Sequence, residues 1–343
     1  MPVKVALLGF ERGYHVSWRK PREVIDHSTV LRALVYLAHL TGSERCAELI
    51  ESGGLAASAL LPALPVGEGY VRPLAAFPYI PCLGKASRFR GLYTTLPALR
   101  NLMEFVRECH GAGGVPVATG ADEELGVSLS CIGRSRSIKG PPLGLREGVV
   151  CLESGDCADV SVYATTRFTE VVLEHRNRLD RISGAADVFV LYGARTRTPL
   201  WLALHGDEDS LACAERLLEV LQHTGIGGLR SRGWGRFRAL NELKLKDEDQ
   251  RVLNLQIGWA PGLVYLLGTM PPGAWLKPEL SYASRYVIMG RSGPPNDEYV
   301  LPVLEVMDVG SLVHVKSVPK PEVISINGGR ALYIFNPVVL RAA

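Results

Sequence analysis

The sequence predicts an α+β protein whose first 245 residues follow the ferredoxin-like (RRM-like) order of strand, helix, strands, helix and strand, with long extra material after the first helix. Three observations predict it. Two segments carry apolar residues at three- and four-residue spacing between capping residues; short apolar or alternating runs lie between turn residues; and beyond residue 252 only strand-like runs recur.

Residues 3–8 (VKVALL) read as a short buried strand, followed by a loop rich in arginine and aromatic residues (Arg12, Tyr14, His15, Trp18, Arg19, Lys20, Arg22). The run DHSTVLRALVYLAHLTG is predicted as a helix. Asp26 or Ser28 can cap it, Leu31, Leu34, Tyr36, Leu37 and Leu40 supply its apolar face, and Gly42 closes it. Residues 54–155 hold prolines at 62, 65, 73, 78 and 81 and a glycine-rich stretch at 111–114, and are expected to be an irregular insertion. Strands are expected at 168–175, 187–193 and 199–206, then an amphipathic helix at 208–222 with Asp207 or Asp209 near its start. Gly225 is placed to stop that helix, a glycine-rich loop follows, and RFRALNELKL is expected to form one further strand. VLNLQIGW, LVYLLGT, SRYVIMG, YVLPVLEVMDVG, SLVHVK and ALYIFN then read as strands, so that residues 246–343 form a second, smaller β-rich domain after the first at 1–245.

Composition excludes several classes. With 21% charged and 47% hydrophobic residues among 343, the chain buries a core without needing a metal or disulfides as staples. Its seven cysteines (Cys46, Cys82, Cys109, Cys131, Cys151, Cys157, Cys213) include no C-x-x-C pair and make an odd total. This argues against zinc and against a disulfide framework, and suits a reducing cytoplasm. No run of eighteen apolar residues and no leader segment is present, so no membrane partner is expected. Net charge is only +3, so attraction to phosphate must come from local clusters; the bias of 29 Arg to 9 Lys favours bidentate contacts.

The most informative cluster is TGIGGLRSRGWGRF at 224–237, with five glycines, three arginines, one tryptophan and no acid. Glycines without Cβ let another backbone come close, Arg230, Arg232 and Arg236 supply charge, and Trp234 offers a face for stacking a base. The loop follows a helix C-terminus and lacks G-K-[ST], so it is not a phosphate loop of the nucleotide-binding kind. A capped helix running into a hairpin with solvent-facing arginines accounts for the same residues. A second constellation, EHRNRLDRISGAA, alternates Arg176, Arg178 and Arg181 around Asp180; GRSRSIKG (133–140) and GKASRFRG (84–91) are further acid-free basic runs. His15 and His27 are the candidates for general acid–base cleavage of RNA, and Asp26 beside His27 lacks the companions of a metal site.

GIGGLRSRGWGRF resembles the C-terminal glycine-rich loop of the RAMP superfamily of CRISPR-associated proteins. Within that superfamily, HRNRLDRISGAADVF, DHSTVLRALVYL, FPYIPCLGKASRFRG and VGSLVHV are similar, in this order, to segments of the fourth Csm subunit of type III-A effector complexes. Two departures stand out: Thr29 directly follows Ser28 where an acid usually intervenes, and the basic run near residue 85 is largely arginine. The resemblance implies two RRM-like domains and a non-catalytic RNA-binding scaffold without a cofactor. Such a scaffold holds the 5′ repeat-derived tag of the CRISPR RNA and joins the large polymerase-like Csm subunit to the backbone RAMP subunit. It implies a tag-binding loop of Gly225, Gly227, Gly228, Arg230, Ser231, Arg232, Gly233, Gly235 and Arg236. It also places His27, Ser28 and Thr29 near the RNA and His175, Asp180 and Arg181 in a central segment. The alternatives are a metal-independent RAMP endoribonuclease using His27 or His15, and the equivalent subunit of the type III-B Cmr complex.

Overall fold

The computed structural model describes residues 1–16, 23–81, 91–122, 126–133, 138–163, 168–179, 186–290, 300–326 and 331–342. β1 (Val3–Phe10), α1 (His27–Leu40) and α2 (Glu44–Glu51) lead into β2 (Leu55–Ala57), β3 (Leu61–Pro65), β4 (Tyr70–Ala76) and β5 (Tyr93–Thr95), then α3 (Leu96–Gly111). Next come β6 (Val115–Asp122), β7 (Gly126–Ile132), β8 (Leu143–Arg146), β9 (Val149–Leu152) and α4 (Cys157–Tyr163). A long ribbon of β10 (Thr169–Leu179) and β11 (Ala186–Thr196) precedes β12 (Leu200–Gly206), α5 (Glu208–Thr224), a 3₁₀ turn (Arg230–Arg232), β13 (Phe237–Ala239), β14 (Lys244–Leu245) and α6 (Asp247–Gln256). The C-terminal portion holds β15 (Gly262–Leu266), β16 (Arg285–Ile288), β17 (Leu304–Met307), β18 (Leu312–Val315), β19 (Glu322–Ile326), β20 (Ala331–Phe335) and β21 (Val339–Arg341). The fold is mixed α+β.

Local chemistry accounts for the two helices that flank the site. Asp26 caps α1 through a carboxylate that accepts from Ser28 N, and Leu31, Leu34 and Leu37 bury the apolar face at about 2 kcal/mol each. Asp207 caps α5 by accepting from Ser210 N at 2.7 Å, and Gly225, at φ +80°, ends it. Both pack on β12, whose first five residues, LWLAL, are all apolar because both faces are covered. Leu200, Leu202 and Leu204 face α1, α2 and α5, while Trp201 and Ala203 face a second core built around α3.

The main sheet runs β13-β1-β12-β3-β4-β5-β9-β8-β7-β6, with β2 added on β12 and β14 on β4. The described residues of 54–155 are therefore largely regular where irregular structure was expected: they supply eight strands to this sheet and the sixteen-residue helix α3. Prolines misled the reading because Pro62, Pro65 and Pro73 lie inside short strands. Two further expectations are corrected. RFRALNELKL breaks at a turn into β13 and β14. VLNLQIGW lies mostly in α6, whose first turn carries Asp247, Glu248 and Asp249 at the positive end of the helix dipole.

The cysteines also depart from expectation, since six of the seven pair as Cys46–Cys213, Cys109–Cys131 and Cys151–Cys157. Their separations of 167, 22 and 6 residues join α2 to α5, α3 to β7 and β9 to α4, and no local motif announces such pairings. The remaining cysteine, Cys82, lies outside the described residues. Among the described residues no helix is long and apolar enough to cross a membrane, and no group of three or more His, Cys, Asp or Glu side chains could hold a metal ion.

The C-terminal portion is built on the three-stranded sheet β18-β15-β21 and is bonded to the start of α1. Thr269 donates its hydroxyl to Asp26 Oδ2 at 2.9 Å, Ile334 N donates to Ser28 Oγ at 3.2 Å, and Asn336 Nδ2 donates to Gly53 O and Leu55 O.

Candidate nucleic-acid interface

The chain between α5 and β13 is fastened along its length. Ile226 N donates to Gly235 O at 3.0 Å, Gly235 N to Gly13 O at 2.8 Å, and Gly228 N to His15 O at 2.8 Å. These contacts explain the glycines. A Cβ on Gly235, at φ +77°, would stand 2.0 Å from Ile226 O, and one on Gly227 would stand 2.6 Å from His15 O. Gly225 and Gly228 are likewise crowded by this chain's own atoms, and among the five loop glycines only Gly233, at φ +81°, faces open space. The sequence reading reserved the bare backbone for an incoming strand; four of the five glycines are bare because other parts of the protein pass against them.

Trp234 is corrected in the same way. It is 2% exposed, its Nε1 donates to Glu174 Oε2 at 3.3 Å, and its ring lies over Gly193 of β11, where a Cβ would come within 2.0 Å of it. It fastens the loop to the β10–β11 ribbon and has no free face for a base.

What remains outside is a cationic turn. Leu229 adopts the left-handed conformation at φ +58°, the 3₁₀ turn Arg230–Arg232 follows, and Gly233 returns the chain. Ser231, Arg232 and Arg236 are exposed and Arg230 is half-buried. The Arg230 guanidinium lies 5.1 Å from the centre of the Tyr36 ring on α1, and that of Arg232 lies 5.8 Å from Phe189 on β11. Among the described residues no carboxylate pairs with Arg230, Arg232 or Arg236. Aromatic faces orient the first two without neutralising them.

Strand alternation puts Glu174 and Arg176 on the ribbon face that meets this turn. Arg12, on the loop after β1, reaches both parts: its Nη2 is 2.7 Å from Glu174 Oε1 and its Nη1 donates to Arg232 O at 3.2 Å. Arg176 bonds the same Oε1 of Glu174. The sequence reading passed over Glu174, Gly193, Tyr36 and Phe189 as site residues and noted Arg12 only as part of a basic loop. Period-two spacing through 170–178 is the signal that could have joined Glu174 and Arg176. Gly193 and Phe189 carry no local signal, because their role depends on which loop crosses them.

Several expected residues lie elsewhere. His27 is fully buried: its Nδ1 is 3.1 Å from Asp26 Oδ1, Thr269 N donates to that nitrogen at 3.3 Å, and its Nε2 has no hydrogen-bond partner. Ser28 is buried with it and Thr29 is half-buried, so the start of α1 faces the C-terminal portion and not the turn. His15 stays beside the loop, half-buried, with Nδ1 bonded to Tyr192 O. His175 is exposed on the opposite ribbon face from Glu174. Arg178 lies in β10 opposite Asp187, its side chain outside the described residues; Asp180 and Arg181, and most of the basic runs at 84–91 and 133–140, also lie outside them.

The packing sets a test by substitution. Gly233→Ala should cost about 1–2 kcal/mol, the price of a left-handed alanine. Gly235→Ala adds a collision with backbone and should cost well above that, with loss of the Ile226–Gly235 pairing; chemical denaturation of the two variants measures the difference. Equal costs would show that the loop relaxes freely around residue 235.

No protein-family model matches the chain, and no curated protein matches it. Its fold matches that of a chain in a crystal structure of the Csm3–Csm4 subcomplex of the type III-A CRISPR–Cas interference complex, with a TM-score of 0.58, 13% identity and 99% of each chain covered. At that identity the likeness is one of fold. A chain of a Csm1–Csm4 cassette in complex with cA4 is similar at a TM-score of 0.47 and 12% identity, covering 100% of this chain and 99% of that one. A chain of type III-B Cmr-beta bound to cognate target RNA is similar at 0.47 and 8%, with 91% and 86% covered.

Proposed function

We propose that this chain is a non-catalytic RNA-binding subunit of a type III CRISPR ribonucleoprotein effector complex, with its arginine turn set against the 5′ repeat-derived tag of the CRISPR RNA. The observation that carries the reading is the turn itself: three guanidinium groups without carboxylate partners among the described residues, on a glycine-packed loop. The full-length fold match to a chain of the Csm3–Csm4 subcomplex supports the setting. The ordered motif resemblance supports the place in the assembly, between the large polymerase-like Csm subunit and the backbone RAMP subunit. In this reading the strands β13-β1-β12-β3 with α1 and α5 form a ferredoxin-like unit whose glycine-rich loop follows its second helix. Residues 246–343 form a second RRM-like unit.

A nuclease role needs a proton-transfer group within reach of the scissile phosphodiester. His27 is sealed in the protein, which leaves His15 without that partner and favours binding over cleavage.

Fluorescence anisotropy with labelled single-stranded RNA tests the reading. With four to five phosphates neutralised at roughly 0.7 per contact, log K should fall with log salt at a slope on the order of −3. Replacing Arg230, Arg232 and Arg236 by alanine should flatten the slope by about 2 and weaken binding about 100-fold near 0.1 M salt. RNA should be recovered uncut in EDTA. Unchanged binding by the triple variant would move the RNA site elsewhere, and a single specific cut abolished by His15→Ala would favour the enzyme.

A further inference from the structure

The geometry points to Arg12 and Arg176 as a phosphate-gripping pair, held by Glu174, that extends the arginine turn along the β10–β11 ribbon; this rests on the RNA-binding reading above. Both guanidinium groups converge on one oxygen, Glu174 Oε1. The other oxygen receives Trp234 Nε1. One negative charge thus holds two positive ones side by side, and the three groups together carry a net charge of +1. The side chains of Arg12 and Arg176 remain 47% and 38% exposed, against 22% for Glu174, so the uncompensated charge faces solvent. A guanidinium has five N–H donors, and most of those on this pair have no partner among the described residues. An anion with several acceptor oxygens, such as a phosphodiester, completes the arrangement.

Arg12 also holds the turn through Arg232 O, so the pair joins the turn that carries Arg230 and Arg232. Among the described residues, three aromatic rings of this joint surface are committed. Trp234 is buried, and Tyr36 and Phe189 are faced by Arg230 and Arg232. Among the described residues, Tyr36, Phe189, Trp234 and the Glu174 carboxylate are thus already engaged, and the pair grips the RNA backbone whatever the sequence.

The test is anisotropy of the full chain with labelled oligo-U and oligo-A across a salt series. The double variant R12Q/R176Q should flatten the slope by about 1.4 and weaken binding about 25-fold near 0.1 M salt, equally on both probes. R12K/R176K, which keeps the charges, should restore the slope. If the glutamine pair melts at lower temperature than the wild type, R12Q and R176Q singly should each remove about 0.7 of slope. An unchanged slope in the double variant, beside a loss in the Arg230/Arg232/Arg236 triple variant, overturns the pair and leaves the RNA reading standing. No loss in either set overturns the pair and the turn together and moves the RNA site off this surface. A loss confined to one probe overturns backbone gripping.

Discussion

Arg72→Met should destabilise the protein by about 3–5 kcal/mol at pH 8 and by much less near pH 4, because it strips the counter-charge from two buried carboxylates. Arg72 on β4 is 2% exposed, and its Nη1 lies 3.4 Å from Asp156 Oδ2, 3.3 Å from Asp249 Oδ2 and 3.5 Å from Glu248 Oε2. Its Nη2 lies 3.0 Å from Asp159 Oδ2. Burial alone would lower the guanidinium's pKa, but the surrounding acids raise it. Negative charge is in excess, and burial, only partly offset by Arg72 and aggravated by the other acids, pushes the Asp249 carboxyl up to about 8 from its ordinary 3.8. Burial raises Asp156 as well. A carboxyl raised on folding favours the folded state below its unfolded pKa and loses that contribution as pH rises through the folded one. Wild-type stability therefore declines from about pH 4 towards pH 8 on account of Asp249. Without Arg72 both carboxyls rise further and the decline steepens. Urea denaturation of the two proteins between pH 4 and 9 measures the gap; a gap that does not widen with pH would show that the cluster is not electrostatically coupled.

Reduction of the disulfides should be the other large loss. Closing 167 residues with Cys46–Cys213 removes the most chain entropy from the unfolded state, about 5 kcal/mol in the loop-closure model; the other two remove about 3 and 2. Replacing Cys46 and Cys213 by serine should lower Tm by about 7 °C, and full reduction should lower it by about 14 °C. Without reductant, six of the seven cysteines should resist alkylation in the denatured chain. A melting curve indifferent to reductant would mean that these sulfurs meet without bonding.

The parts of the fold legible in the sequence are those governed by neighbours along the chain. Asp26, Asp207 and Gly225 mark helix ends through bonds to residues within a turn, and β10 and β11 appear in their alternation. α6 is hidden because its strand-like run starts at Val252, past the three acids that begin the helix. The disulfides and the strands of residues 54–155 depend on partners distant in sequence. The site divides in the same way. The arginines of the turn could be named from their run, but the task of each glycine could not. Gly235 is set by Ile226 nine residues back, Gly227 by His15, and Gly193 by an indole forty-one residues on. Trp234 looked like a platform because its run holds no acid; the acid that claims it, Glu174, stands sixty residues earlier.

α1 has its first residue in the seam with the C-terminal portion and Tyr36, nine residues on, under Arg230. About 13 Å of hydrogen-bonded helix separates these points. They are the two ends of one stiff element: a tilt of the C-terminal strands at one end would be passed along the helix to the contact of Tyr36 with Arg230 at the other.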